Sequence, residues 1–589
     1  MRNPRLQQTV LGAMFVAILL AATLTSALGP SASPLPASAP PTTFTLTVAL
    51  TGSSTGTVTS NPAGINCGST CTASFASGTT VRLTPTPGTG AFFAGWKGAC
   101  TGRNACTVLM KKNATVIATF NVSQTVNVIN HIIFMAQENR SLDHYFGELR
   151  QYWRDNGFAD ASFDGLPQFN PTSGIPPLYG PPLTNLGCDP NDPPPAQCKF
   201  DSNSPTITSY QLITECLETP NPSWNAAHQA WNLQNPVSGT PLLNGYVWAG
   251  AQKGRDANFY DTDGIRIMGY YDDSSLNYYY YMASQFATSD RWFSPVMTRT
   301  SPNREYLLSA TSQGYVYPVG TNSNDKNLLT ATPIFEELQN AGITWKIYVD
   351  TDYSSCATDP TPQCLLTLSY IANFEWGQTI PTSYPNNIAT ITQYLSDVQN
   401  GTLPQVALIE PASDASLDEH PSDTDQYTVD IQAGANFVST LINPLMTSSS
   451  WKDSVFILTY DEAGGFYDHV PAQKAVAPDS FLSPVDLNPG DVCTKTTGPT
   501  CDFTYTGFRI PLLVVSPYAK KHFVDHTVAD YTAVLKLIET RFNLAPLTNR
   551  DAAQPDMTEF FDFNSPPWLT PPSPPVQSQS GDCYLNSLP

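Results

Sequence analysis

Charge is scarce in this sequence, and positive charge is scarcest. Of its 589 residues, 28 are Lys or Arg and 49 are Asp or Glu, and the formal net charge is −21. A nucleic-acid binder needs a basic face that displaces counterions from phosphates, so that class is excluded. Loose adsorption on anionic lipid is excluded for the same reason. The ordinary meaning of such a charge is solubility outside the cell. After residue 27 no apolar run is long enough to span a bilayer. No pair of cysteines recurs with histidines at zinc-ligand spacing. Beyond residue 126 there is no Gly-x-Ser-x-Gly elbow, which argues against a serine hydrolase.

The N-terminus has the features of export. Arg2 and Arg5 precede the apolar stretch VLGAMFVAILLAATL, and Thr25-Ser26-Ala27 offers a small-residue cleavage site. Residues 1–27 are therefore predicted to be a secretory signal; an uncleaved anchor is the alternative, for which the stretch is short. No cysteine follows closely, which argues against a lipoprotein. Twelve cysteines, an even count, read as disulfides in an exported chain. Sequence neighbours are favoured as pairs: Cys67 and Cys71, Cys100 and Cys106, Cys188 and Cys198, Cys356 and Cys364, Cys493 and Cys501. Cys216 and Cys583 remain for a long-range pair.

Residues 28–43 form a Pro/Ala/Ser linker that cannot bury a core. From 44 to 121 short runs alternate apolar with Thr, Ser or charged residues between Gly/Pro/Asn turns, the pattern of a small all-β module. From about 126 to 564 the pattern is α/β. TVNVINHIIFMA, ITWKIYV, PQVALIEP, SVFILTY and RIPLLVVS read as strands, and TPIFEELQNAG as a helix capped by Thr332 with Pro333 at its first position. DIQAGANFVSTLINPLM and YTAVLKLIETRF read as further helices. Near-continuous apolar strands alternating with helices predict a mostly parallel sheet covered on both faces. Residues 565–589 are predicted to be an irregular Pro-rich tail.

Four polar clusters follow apolar strands or tight turns. ENRSLDHYFG supplies Glu138 and Asn139; YDEAGGFYDHV supplies Asp461, Glu462 and His469; ASDASLDEHPS supplies His420; MTRTSPNREYL supplies Thr300, Asn303 and Arg304. In such sheets the site lies outside the carboxyl ends of the strands. Adjacent carboxylates there repel unless a cation sits between them, and a hard divalent ion with oxygen ligands meets that need. The Tyr278–Tyr281 run suggests an aromatic cage, but in a helical stretch its commoner meaning is core packing. His131, on a strand, reads as structural.

These motifs resemble the bacterial phosphoesterase family of secreted phospholipases C and acid phosphatases, over about residues 128–545. The resemblance implies an alkaline-phosphatase-like α/β/α sandwich and a metal-assisted hydroxyl nucleophile. It implies that Glu138, Asn139, Asp461 and Glu462 hold a divalent metal ion of open identity. Thr300 would be the nucleophile, His228, His420 and His469 site histidines, and Asn303 and Arg304 substrate contacts. Residues 44–121 resemble divergent InlB-type repeat modules, usually spacers or attachment units that bind cell wall or surface. Pro222 and Tyr531 stand where the family carries histidines, which leaves headgroup preference open.

The reading that follows is a secreted phospholipase C acting on phospholipid, with transient contact to a membrane surface. An acid phosphatase for small phosphomonoesters is the alternative within the same chemistry. A non-catalytic exported adhesin with a decayed phosphoesterase domain is the alternative of another class.

Overall fold

The computed structural model describes residues 42–170, 184–320, 328–422 and 429–587. The predicted signal at 1–27 and nearly all of the linker at 28–43 lie outside the described residues. Two compact units are present, one of residues up to 89 with 95–120, the other of 90–94 with 121 onward.

In the first unit the alternating pattern becomes two four-stranded sheets. Thr43–Thr51 lies between Thr72–Ala76 and Ala114–Val122, which in turn pairs with Ala91–Gly98. Gly56–Asn61 lies between Asn66–Cys67 and Thr80–Pro87, with Cys106–Leu109 beyond. Alternate residues such as Leu46, Val48, Val58, Val81, Leu83 and Val116 are buried, while their neighbours face water. The pairs Cys67–Cys71 and Cys100–Cys106 close short loops in this small unit.

The second unit is built on one eight-stranded sheet. Along the chain its strands are β1 His131–Gln137, β2 Ala287–Ser289, β3 Trp345–Val349, β4 Ile388–Thr390, β5 Val406–Ile409, β6 Ser454–Tyr460, β7 Leu512–Val515 and β8 Phe523–Asp525. Their spatial order is β4-β3-β5-β1-β6-β7-β2-β8. The five strands from β4 to β6 are parallel, whereas β7 runs antiparallel to both β6 and β2. Strands β1, β5 and β6 are buried almost throughout, as their unbroken apolar runs require. The α/β reading with a mostly parallel sheet therefore holds.

Several local expectations change. Val126–Val128 is a 3₁₀ turn with Thr125 as its cap, so the first strand begins only at His131. The helix expected from Thr332 spans Ile334–Asn340, and Pro333 itself occupies the capping position. Tyr278, Tyr279 and Tyr280 are buried on the helix Asn277–Gln285 and hydrogen-bond to Asn443, Glu419 and the Tyr271 carbonyl, which rules them out as an open cage. The Pro-rich tail is irregular but not detached. Gln577 is buried and donates to the Ser275 carbonyl, and Cys583 is bonded to Cys216. The remaining three disulfides join the expected neighbours.

Candidate active site

Strands β1 and β6 end side by side, with Gln137 opposite Tyr460, and Asp461 N–H donates to the Gln137 carbonyl at 3.0 Å. The next residues of each strand are Glu138-Asn139 and Asp461-Glu462, so the register itself brings four polar side chains together. Asn139 turns the chain with φ +61°, and its N–H donates to Asp461 Oδ1 at 3.0 Å. Gly464, at φ +69°, packs against the Asn139 carbonyl where any side chain would collide, and its N–H donates to Glu462 Oε2 at 2.6 Å. A third loop, after β5, lies beside them: Glu138 N–H donates to the Asp418 carbonyl at 2.9 Å.

Thr300 is the first residue of the helix Thr300–Ser309. Its hydroxyl donates to Glu138 Oε2 at 3.3 Å and lies 3.5 Å from Asn139 Oδ1. The position is suited to anion chemistry, because the first N–H groups of a helix have no partner within it and the macrodipole is positive there. Thr300, Glu138, Arg299, Asp418 and His420 line a cavity of about 600 Å³.

Whether these residues fit a cation turns on one ring. His420 Nδ1 lies 2.6 Å from the Pro421 carbonyl, which can only accept, so Nδ1 carries the proton. With a proton on Nδ1 alone, Nε2 is an acceptor 2.7 Å from the Asn139 side-chain amide, and the pair is a hydrogen bond when the amide presents its NH₂. That leaves Asn139 Oδ1 3.2 Å from Asp461 Oδ1 and 2.8 Å from Glu462 Oε1. Reversing the amide would satisfy the carboxylates only with a doubly protonated His420. Three converging acceptors, together with a buried Asp461 Oδ2 that has no hydrogen-bond partner, fit a hard divalent cation. Burial pushes the Asp461 and Glu462 carboxyls well above the usual carboxylate range, and the charges of Glu138 and Asp461, respectively, add to it.

A second acidic group lies deeper. Asp143, Asp468 and His469 are buried, with ligand atoms within 4.8 Å of one another, a spacing suited to a metal ion. Here a cation is already built in. Arg509 pairs with Asp468 Oδ1 at 2.8 Å and with Asp143 Oδ1 at 2.9 Å, while His469 Nδ1 meets Asp143 Oδ2 at 2.7 Å. The structure therefore sets His469 in this frame and not on the cavity wall.

Two other expected site residues point elsewhere. His228, on the helix Trp224–Trp231, is fully buried with its ring nitrogens on the Trp224 and Thr500 carbonyls. Asn303 donates to the Val296, Thr298 and Arg299 carbonyls and accepts from Val296 N–H, so it shapes the turn that presents Thr300. Arg304 is buried against Glu138 Oε1 at 2.9 Å, behind the cavity. The cationic side chain on the cavity wall is Arg299, which sequence reasoning passed over although it adjoins Thr300. The two positions without the family's histidines flank the acidic cluster: Pro222 lines a small void with Glu462 and Gly465, and the buried Tyr531 hydroxyl feels the charges of Asp461 and Glu462.

Carboxylates gathered at the carboxyl ends of parallel strands, beside a hydroxyl at a helix start, are the arrangement a metal-assisted ester hydrolase requires. The Phosphoesterase family matches residues 129–545, and the Divergent InlB B-repeat domain matches residues 46–124. Phospholipase C B of Mycobacterium tuberculosis (strain ATCC 25618 / H37Rv) is 30% identical over 471 residues, covering 74% of this chain and 78% of that protein. Non-hemolytic phospholipase C of Burkholderia pseudomallei (strain K96243) is 28% identical over 486 residues, 76% of this chain and 61% of that protein. Among solved structures, a protein in the alkaline phosphatase superfamily from Vibrio parahaemolyticus matches 49% of this chain and 66% of its own at 14% identity. Its TM-score is 0.28. The chain belongs to the Phosphoesterase family and is a phosphoric ester hydrolase.

Proposed function

We propose that this protein is an exported phospholipase C that cleaves the glycerol-side phosphodiester of phospholipids, with Thr300 as nucleophile. The observation that carries the reading is the Thr300 hydroxyl, set 3.3 Å from Glu138 Oε2 at a helix start on the wall of the cavity of about 600 Å³. Glu138 already accepts that proton, so it is placed to take it as Thr300 Oγ1 attacks phosphorus. The P–O bond to glycerol breaks, the glycerol oxygen takes up a proton, and the headgroup phosphate is left esterified to Thr300. Water then attacks the same phosphorus, and Thr300 recovers its proton. The helix-start amides and Arg299 hold the phosphate oxygens.

Asn139, Asp461 and Glu462, with Glu138 alongside, would hold a divalent ion; bound there, it supplies a Lewis acid that screens phosphate charge. A diester is favoured over a monoester by a second cavity of about 370 Å³, which shares Ser301, Pro318, Tyr370 and Ser413 with the first. It has room for a further substituent, and the carboxylates of Asp350 and Asp414 on its wall suit a cationic one. Six disulfides support export. The β-unit would serve as an attachment module to wall or surface.

Purified protein assayed with p-nitrophenylphosphorylcholine and p-nitrophenyl phosphate, with and without chelator, tests the reading. The diester should be the better substrate and chelator should stop its turnover. Preference for the monoester would make the protein a phosphatase, and no turnover of either would make it a binding protein.

A further inference from the structure

We propose that the loop Val476–Val485 docks the enzyme on a zwitterionic phospholipid surface. The loop leaves four apolar side chains in water: Val476, Phe481, Leu482 and Val485 are 48%, 38%, 55% and 51% exposed. A floppy loop would make such exposure trivial, but this backbone is tied down along its length. The Val476 carbonyl accepts from Arg550 Nη1 at 2.9 Å, and the Pro478 carbonyl from Asn549 N–H at 2.9 Å. Asp479 takes the Thr311 hydroxyl with one oxygen and Phe481 N–H with the other. Val485 N–H donates to the Gly314 carbonyl at 2.9 Å. The fold thus holds the loop rigidly while turning its apolar side chains outward, which is the mark of an interaction surface.

Its position and charge select the occupant. Asp486, next in the chain, accepts from the N–H groups of Val316 and Tyr317 at 3.0 and 2.9 Å. The residues that follow these, Pro318 and Val319, line the cavities beside Thr300. The loop is therefore anchored to the segment of chain that runs on into the wall of the substrate site. From Ala475 to Asp491 the chain has three aspartates and neither Lys nor Arg, in a protein of net charge −21. An anionic bilayer would repel such a loop, whereas a zwitterionic one accepts inserted apolar side chains without a charge penalty.

The inference rests on the phospholipase reading, so the test separates the two. Full-length wild type and a Phe481→Ser, Leu482→Asp variant are co-sedimented with phosphatidylcholine vesicles, and both are assayed on soluble p-nitrophenylphosphorylcholine. Wild type should bind the vesicles with little loss in molar salt. The variant should bind at least tenfold more weakly, about tenfold being expected for each large side chain removed, while soluble turnover stays within about twofold. Equal vesicle binding by the variant, or binding that salt abolishes, would overturn the proposal. So would self-association of wild type that the variant abolishes, which would assign the patch to a second copy. Vesicle binding lost in the variant, with no soluble turnover in wild type, would uphold the docking surface and remove the phospholipase reading instead.

Discussion

Arg304 and Thr300 divide one carboxylate between them: Arg304 Nη2 holds Glu138 Oε1 at 2.9 Å, and the Thr300 hydroxyl donates to Oε2 at 3.3 Å. The guanidinium stands behind the cavity and the hydroxyl on its wall. Arg304 is therefore a positioning residue, 1% exposed, whose charge also faces Asp461 at 3.9 Å.

Removing Arg304 should consequently damage the frame before it damages substrate binding. In Arg304→Gln two buried carboxylates lose their cation, at a cost of about 3–5 kcal/mol. Thermal unfolding should fall accordingly, and kcat should drop in the folded fraction while KM for a soluble diester changes little. A raised KM at unchanged stability would make Arg304 a substrate contact.

Thr300→Val keeps the shape of the side chain and removes the nucleophile. Turnover should fall by several orders of magnitude, and rapid-quench trapping of phosphothreonine, expected in wild type, should fail. Ser301 lines the same cavity but its hydroxyl faces Glu305 and Asn373, and the Thr298 hydroxyl is spent on the Val316 carbonyl. Ser301→Ala and Thr298→Val should each retain most activity. Inactivation by Ser301→Ala alone would move the nucleophile by one residue.

The strand ends were legible because chemistry changes there within two residues while burial does not: the apolar run from Ile132 is buried, and so are Glu138 and Asn139 that follow it. The same contrast marks Tyr460 to Glu462, and parallel pairing does the rest. What a motif does not encode is the direction of a side chain. His228 and Asn303 fall inside motifs of the right composition, yet one faces backbone carbonyls in the core and the other folds back on its own turn. Arg299 sits beside Thr300 and was readable in principle. Tyr370, at the start of the 3₁₀ turn Tyr370–Asn373, and the loop residue Ser413 have no periodicity to announce them, and only the folded chain makes them walls of a cavity.

His469 should give a stability signature and little catalytic one. Burial alone would depress its pKa, but Asp143 outweighs that and, with Asp164, lifts it to about 9. Its folded value exceeds the unfolded value of roughly 6.5, so its contribution is complete below that pH and is lost as pH rises through about 9. About 3 kcal/mol is at stake by that linkage. Urea unfolding at pH 6 and pH 10 should show the loss in wild type and a flatter dependence in His469→Gln. An unchanged slope in the variant would remove His469 as the titrating group.

The cation makes the sharpest demand. Without it, Asn139 Oδ1, Asp461 Oδ1 and Glu462 Oε1 face one another in a fully buried cluster. Chelation should therefore lower the melting temperature of wild type as well as stop turnover, and adding back a divalent ion should restore both. Glu462→Gln keeps its oxygen on Gly464 N–H, turns its NH₂ to Asn139 Oδ1 and removes one charge, so the cluster is relieved without metal. This variant should be inactive, should carry less metal by elemental analysis, and should melt at the same temperature with and without chelator. Asp461→Asn should also lose metal and activity but without that relief, because the N–H groups of Asn139 and Glu462 require an oxygen at its Oδ1 position. A melting temperature in wild type that chelator leaves untouched, with full activity, would mean that His420 is doubly protonated and the Asn139 amide reversed, so that hydrogen bonds and not an ion close the cluster.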